Sequence, residues 1–127
     1  MERQVGFGQR QPGTAIATAV EVRSDKMNKL ESDFAAEVLA LQLAGGLIRW
    51  YEFEPMRLRL GGSAFYRPDF IVIDGIGQVL AYETKGHWRE AARARIKIAA
   101  SRFPWIRFVA VKRDRRSGQW NYESFEP

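Results

Sequence analysis

The segment that decides the reading runs Arg67-Pro68-Asp69-Phe70-Ile71-Val72-Ile73, turns through Asp74-Gly75-Ile76-Gly77, and returns along Val79 to Thr84 into Glu83-Thr84-Lys85-Gly86. Phe70 to Ile73 is an unbroken apolar run of the kind that suits a central strand. Asp74 to Gly77 has the chemistry of a hairpin turn, so Val79 to Thr84 is expected to pair antiparallel with it. Side chains alternate across a strand, which puts Glu83 and Lys85 on one face and Thr84 on the other. Asp69 leads the first strand, with thirteen residues between it and Glu83. Two carboxylates and an ammonium can therefore meet at one edge of a sheet. Carboxylates with waters are the natural ligands of Mg²⁺ or Mn²⁺, ions that activate water and neutralise phosphate. That chemistry points to phosphodiester hydrolysis. The carbonyl of Thr84 lies between two site residues and is a candidate ligand. Lys85 is a candidate to orient or deprotonate the attacking water and to stabilise negative charge. The plain alternative is an Asp69–Lys85 or Glu83–Lys85 ion pair on a sheet face.

Working outward, Lys26 to Leu43 is expected to be a helix, capped by Ser24 or Asp25 and stopped by Gly45-Gly46. Leu30, Phe34, Val38 and Leu41 recur at helical spacing as its buried stripe, with Glu31 and Glu37 on opposite flanks. Phe53, Met56, Leu58 and Leu60 alternate with Arg57 and Arg59 in a one-sided strand that ends at Gly61-Gly62. Trp50, Tyr51 and Phe53 read as core or interface. A second helix is expected over Trp88 to Arg102, with Trp88, Ala92, Ile96, Ala99 and Phe103 inward and Pro104 ending it. Strands over Ile106 to Lys112 and Trp120 to Phe125 complete the chain. Helices separated by strands of a mixed sheet define an α/β or α+β layered fold.

The 127 residues suffice for one domain with a real core. Hydrophobic residues make up 46% and charged residues 28%, which is a globular rather than a disordered balance. Lys and Arg total 20 against 15 acids, a net charge of +5 that suits a polyanion, most commonly nucleic acid. The absence of cysteine excludes disulfides and cysteine zinc sites. No apolar run approaches a membrane span and Met1 to Thr18 lacks a signal-peptide core, so a soluble, cytoplasmic protein is expected. Residues 1–25 read as an N-terminal arm that docks on its own domain or on a second copy, with Ala15 to Val22 a candidate strand. Residues 26–127 read as the domain.

Pro68-Asp69 followed by Glu83-Thr84-Lys85 resembles the signature of the PD-(D/E)XK nucleases, and the helix–three strands–helix–strand order resembles their restriction-endonuclease-like core. Met27 to Glu31, Trp50 to Pro55, Tyr66 to Phe70, Glu83 to Trp88 and Phe108 to Val111 together resemble a small family of phage and prophage nucleases, some described as Holliday-junction-resolvase-like. The resemblance implies a Mg²⁺- or Mn²⁺-dependent endonuclease acting on DNA in the host bacterial cytoplasm. It implies Asp69 and Glu83 as metal ligands, Lys85 as catalytic lysine, and Glu31 as an outer metal or water ligand, with Glu37 the other candidate for the helix acid. Ser32-Asp33 departs from the small or aromatic pair usual after that acid. A junction-cutting enzyme needs two sites and hence a homodimer; no membrane or organic cofactor is implied.

Arg67, His87, Arg89, Arg93 and Lys97 are the candidate phosphate contacts, the last three spaced by four along the second helix. A solvated helix face is the plain reading of those three. His87 is the only histidine, so a histidine-based metal nuclease is excluded. Arg113, Arg115 and Arg116 surround the Asp114 to Gly118 turn and could grip a second duplex arm. The rival function is a non-catalytic DNA-binding protein on the nuclease fold.

Overall fold

A computed structural model describes residues 27–127. The proposed arm, its candidate strand and the Ser24 or Asp25 cap lie outside the described residues. The first helix, α1, spans residues 29–44 in three parts: an α-helical segment Lys29–Phe34, a π-helical turn Ala35–Leu39 and an α-helical segment Ala40–Ala44. Asn28 caps it. The Asn28 side chain accepts the Glu31 amide at 2.8 Å while Glu31 Oε1 accepts the Asn28 amide at 2.9 Å, a reciprocal capping box. The π turn carries one extra residue and rotates the last helical segment about the axis. Phe34 and Leu39 are consequently the buried residues, and Leu41, read from simple helical spacing as core, is 66% exposed.

Seven strands come after α1: β1 Ile48–Phe53, β2 Leu58–Gly61, β3 Ala64–Tyr66, β4 Phe70–Asp74, β5 Val79–Thr84, β6 Ile106–Arg113 and β7 Trp120–Phe125, with α2 Glu90–Arg102 between β5 and β6. The single strand expected from Phe53 to Leu60 is divided. Glu54 has φ 46°, a left-handed conformation no strand can hold, so Phe53 ends β1 and Leu58 begins a separate β2–β3 ribbon. The main sheet is mixed, ordered β1-β4-β5-β6-β7. The β4–β5 hairpin is antiparallel as expected, and the Asp74 carboxylate accepts the amides of Ile76 and Gln78 in its turn. β5 and β6 are parallel, joined by α2 as the crossover.

Alternation along these strands divides the core between two faces. Phe34 and Leu39 of α1 pack on Phe53, Phe70, Val72, Val109 and Val111. The Phe34 ring meets those of Phe70, Tyr82 and Trp120 at centroid distances of 5.9, 5.3 and 5.2 Å. On the opposite face, Ile96, Ala99 and Ala100 of α2 pack with the ribbon residues Leu58, Leu60 and Tyr66 and with Ile71, Ala81 and Phe108. α2 starts two residues later than expected, at Glu90, while Trp88 and Phe103 pack beside its core face as the sequence suggested. No helix among the described residues is long and apolar enough to cross a membrane.

The π turn makes two nearby leucines unequal. Leu39→Ala is expected to cost about 2–5 kcal/mol by opening a cavity, and Leu41→Ala to stay within about 0.5 kcal/mol. Denaturant unfolding of the two variants measures this, and equal costs would contradict the rotated register.

Candidate active site

The end of the β4–β5 hairpin opposite its turn holds the acidic residues. Phe70 pairs with Tyr82, so Asp69 and Glu83 are neighbours one step beyond, where the ribbon and α1 both approach. Both side chains are buried: Asp69 and Glu83 are each 7% exposed. Burying two carboxylates together is unfavourable unless their oxygens are bonded, and here they are. Asp69 Oδ2 accepts the Thr84 amide at 2.8 Å and the Thr84 hydroxyl at 3.1 Å. Glu83 Oε1 accepts the Tyr66 hydroxyl at 2.8 Å, and Oε2 is ion-paired with Lys85 Nζ at 3.1 Å. The Asp69 carbonyl accepts the Glu54 amide at 2.8 Å, so the left-handed residue that ends β1 also anchors the backbone of the leading acid.

The electrostatics reflect this crowding. Burial, and then the charge of Glu83, pushes Asp69 up to about 8; the Thr84 bonds oppose the rise and the Glu31 carboxylate adds to it. Burial also raises Glu83, against the Tyr66 and Lys85 contacts. Tyr66 is pushed far above the usual phenol range by burial and by Glu83, with Arg95 acting in the opposite sense. Paired carboxylates with displaced protonation are typical of functional sites, although structural ion pairs produce them too.

The structure thus brings Asp69, Glu83, Thr84 and Lys85 together. Glu31 stands close enough to Asp69 to act on its charge, while one of its oxygens serves the capping box. Glu37 is directed elsewhere: it accepts Arg113 at 2.7 Å and the Trp120 indole at 3.3 Å. Among the described residues no three His, Asp or Glu side chains group as a ready cation cage. The donors nonetheless fit Mg²⁺ or Mn²⁺, which bind through one or two carboxylates and retain several waters. The Asp69 oxygen not bonded to Thr84 and the charge held on Glu83 are of that kind.

The candidate phosphate contacts divide. Arg67, His87, Arg89 and Lys97 are exposed around the site and along α2. Arg93, expected beside Arg89 and Lys97, is instead committed to Glu123 through two bonds of 3.0 and 2.6 Å, with its guanidinium over Phe125 at 5.3 Å. It fastens α2 to β7. Arg113 is likewise committed, to Asp33 and Glu37 with Trp120 beneath it at 4.2 Å. Sequence reasoning missed Tyr66 as the partner of Glu83, and missed Glu54 and Arg95. Tyr66 lies in a three-residue strand too short to show periodicity, and a positive φ at a glutamate leaves no mark in sequence. Compared with protein-family models, curated proteins and solved structures, the chain matches none.

The raised acid has a stability consequence. The Asp69–Glu83 pair holds a proton in the folded state up to about pH 8, whereas Asp69 in the unfolded chain releases it near the ordinary 3.8. Between those values the unfolded state binds fewer protons, so stability falls as pH rises. Asp69→Asn is expected to flatten most of this slope in chelator and to make the protein more stable than wild type near the upper end of that window. Thermal melts from the acid end of the window to just above its alkaline end test it, and an unaltered slope would refute the assignment.

Proposed function

We propose that this protein is a metal-dependent endonuclease of the PD-(D/E)XK type, hydrolysing DNA phosphodiesters. The observation that carries the reading is the pair of buried carboxylates Asp69 and Glu83 at the end of the β4–β5 hairpin, with Lys85 ion-paired to the second. Supporting it are the antiparallel-then-parallel order of β1, β4, β5 and β6 with α2 as crossover, the approach of Glu31 from α1, and the net charge of +5. Asp69 and Glu83 would hold the cation, with the Thr84 carbonyl and Glu31 as further ligands, directly or through water. A bound Mg²⁺ or Mn²⁺ supplies Lewis acidity and neutralises phosphate charge. The protein's own groups position the rest. Thr84 fixes the Asp69 carboxylate, and Tyr66 fixes that of Glu83. Lys85, 35% exposed at its side chain, points an ammonium past Glu83 toward solvent, where it can orient a water and hold charge on a phosphoryl oxygen.

One observation favours a second reading, a DNA-binding protein that keeps this fold without catalysis. Both Glu83 oxygens already have protein partners, and a buried ion pair of that kind can be purely structural. Cleavage separates the two readings. With Mg²⁺ or Mn²⁺, wild type is expected to cut a labelled four-way junction, linear duplex or single strand and to be inert in chelator. Lys85→Ala should lose at least about 100-fold in rate while still binding DNA. Intact DNA under every condition, with binding retained, would select the binding-module reading. The preferred substrate would decide whether the activity is selective for branched DNA.

The two helix acids have separable roles. Glu31→Gln keeps a capping acceptor but removes the charge, so it should slow cleavage about tenfold or more with little change in melting temperature. Glu37→Gln should lower the melting temperature by loosening Arg113 while cleavage persists. The reverse pattern would make Glu37 the helix acid.

A further inference from the structure

Beside Lys85 lies a second feature that the hydrolytic site does not use. A cleft of about 470 Å³ opens between Gly86 and the β6–β7 turn, lined also by Lys112, Arg115, Arg116 and Asn121. Thr84 pairs with Val111 in the parallel ladder and the Lys85 amide donates to the Val111 carbonyl at 2.9 Å. Lys85 and Lys112 therefore leave the same end of adjacent strands, and the cleft begins one residue from the candidate catalytic lysine.

The charges in this cleft are unequally occupied. Arg113 lines it but is taken by Asp33 and Glu37. Asp114, its one acid, accepts the Ser117 amide and hydroxyl, each at 2.8 Å, and those bonds hold its carboxyl below the usual range. That carboxylate is used in closing the turn. Lys112, Arg115 and Arg116 are exposed and none is ion-paired with another described residue. Three cations around a single occupied carboxylate leave positive charge in a concave surface, where the field is concentrated. At Gly86 an added Cβ would meet no heavy atom within 4 Å, and its φ is not in the left-handed region, so the fold does not require glycine there. A missing side chain at the lip of a cationic cleft admits close approach by a ligand backbone.

We propose that this cleft binds the sugar–phosphate backbone of a duplex DNA arm flanking the bond presented to Asp69 and Glu83, with Lys112, Arg115 and Arg116 contacting successive phosphates. The inference rests on the nuclease reading for what lies next to the cleft, but the binding itself is measurable without cleavage. The test is fluorescence anisotropy of a labelled duplex in chelator, across a salt series, with the full chain. Wild type is compared with Arg115→Ala/Arg116→Ala and with a charge-matched control, Arg102→Ala/Arg107→Ala, drawn from the exposed far end of α2 and the far end of β6. Thermal melts establish that each variant folds.

The cleft variant is expected to bind about tenfold more weakly at low salt. Its slope of log K against log salt should be shallower by about 1.8, two phosphates at about 0.9 each, with the control close to wild type. Equal losses in cleft variant and control would overturn the proposal, since net charge alone would then explain binding. If the slope changes as expected but wild type cuts nothing with either metal, the cleft stands and the nuclease reading falls. If wild type cuts DNA and the slopes are equal, the reverse holds.

Discussion

Two carboxylates buried side by side are the constraint around which this end of the molecule is arranged. A lone buried carboxylate is costly, and a second one beside it raises the cost. Each acid has its own hydrogen-bonding partners. Thr84 gives Asp69 both an amide and a hydroxyl; Tyr66 and Lys85 serve Glu83. Those donors come from β3 and from the end of β5, so the ribbon and the main sheet must dock correctly for the acids to be tolerated. A fold that needed only stability would do better with apolar residues at these positions. Buried carboxylates with displaced protonation cluster at functional sites, which is the physical ground for the reading proposed above.

The topology explains why the site lies where it does. β4 and β5 are antiparallel, which places the first residue of one strand beside the last of the other. β5 and β6 are parallel, so the same end of the sheet also releases the chain into α2 and into the β6–β7 turn. Acids, lysine and basic cleft thus share one end, while the core on both faces is closed by Phe34 and Leu39 on one side and Ile96, Ala99 and Ala100 on the other. The left-handed Glu54 belongs to the same arrangement, since its amide holds the Asp69 carbonyl at the point where the chain leaves the main sheet.

The positive charge is less available than its total suggests. Arg93 and Arg113 join helices to strands through carboxylates and aromatic rings, Arg59 closes the β2–β3 turn on the Gly62 carbonyl, and Arg57 lies over Phe65 at 4.2 Å. Arg57, Arg93 and Arg113 thus act through ring contacts as well as charge. Among the described residues the exposed cations outside these contacts include Arg67, Arg89 and Lys97 near the site and along α2, Lys112, Arg115 and Arg116 in the neighbouring cleft, and Arg102 and Arg107 at the opposite end.

Much of this was legible in the sequence. The apolar run Phe70 to Ile73, the turn after it and the period-two placement of Glu83, Thr84 and Lys85 determined the hairpin and the company of Asp69, because alternation along a strand is local geometry. Strands β5 and β7 were readable to the residue for the same reason. Tertiary structure alone decided the rest. Helical spacing chose Leu41 for the core, but the π turn put Leu39 there. A common four-residue spacing grouped Arg93 with Arg89 and Lys97, but a carboxylate on β7 drew Arg93 away. Glu31 and Glu37 lay on opposite flanks of one helix in the sequence reading; packing left the first near enough to act on the charge of Asp69 and bonded the second to Arg113. A sequence carries the period of each element; how elements meet, and hence which polar group finds which partner, depends on contacts between residues far apart in the chain.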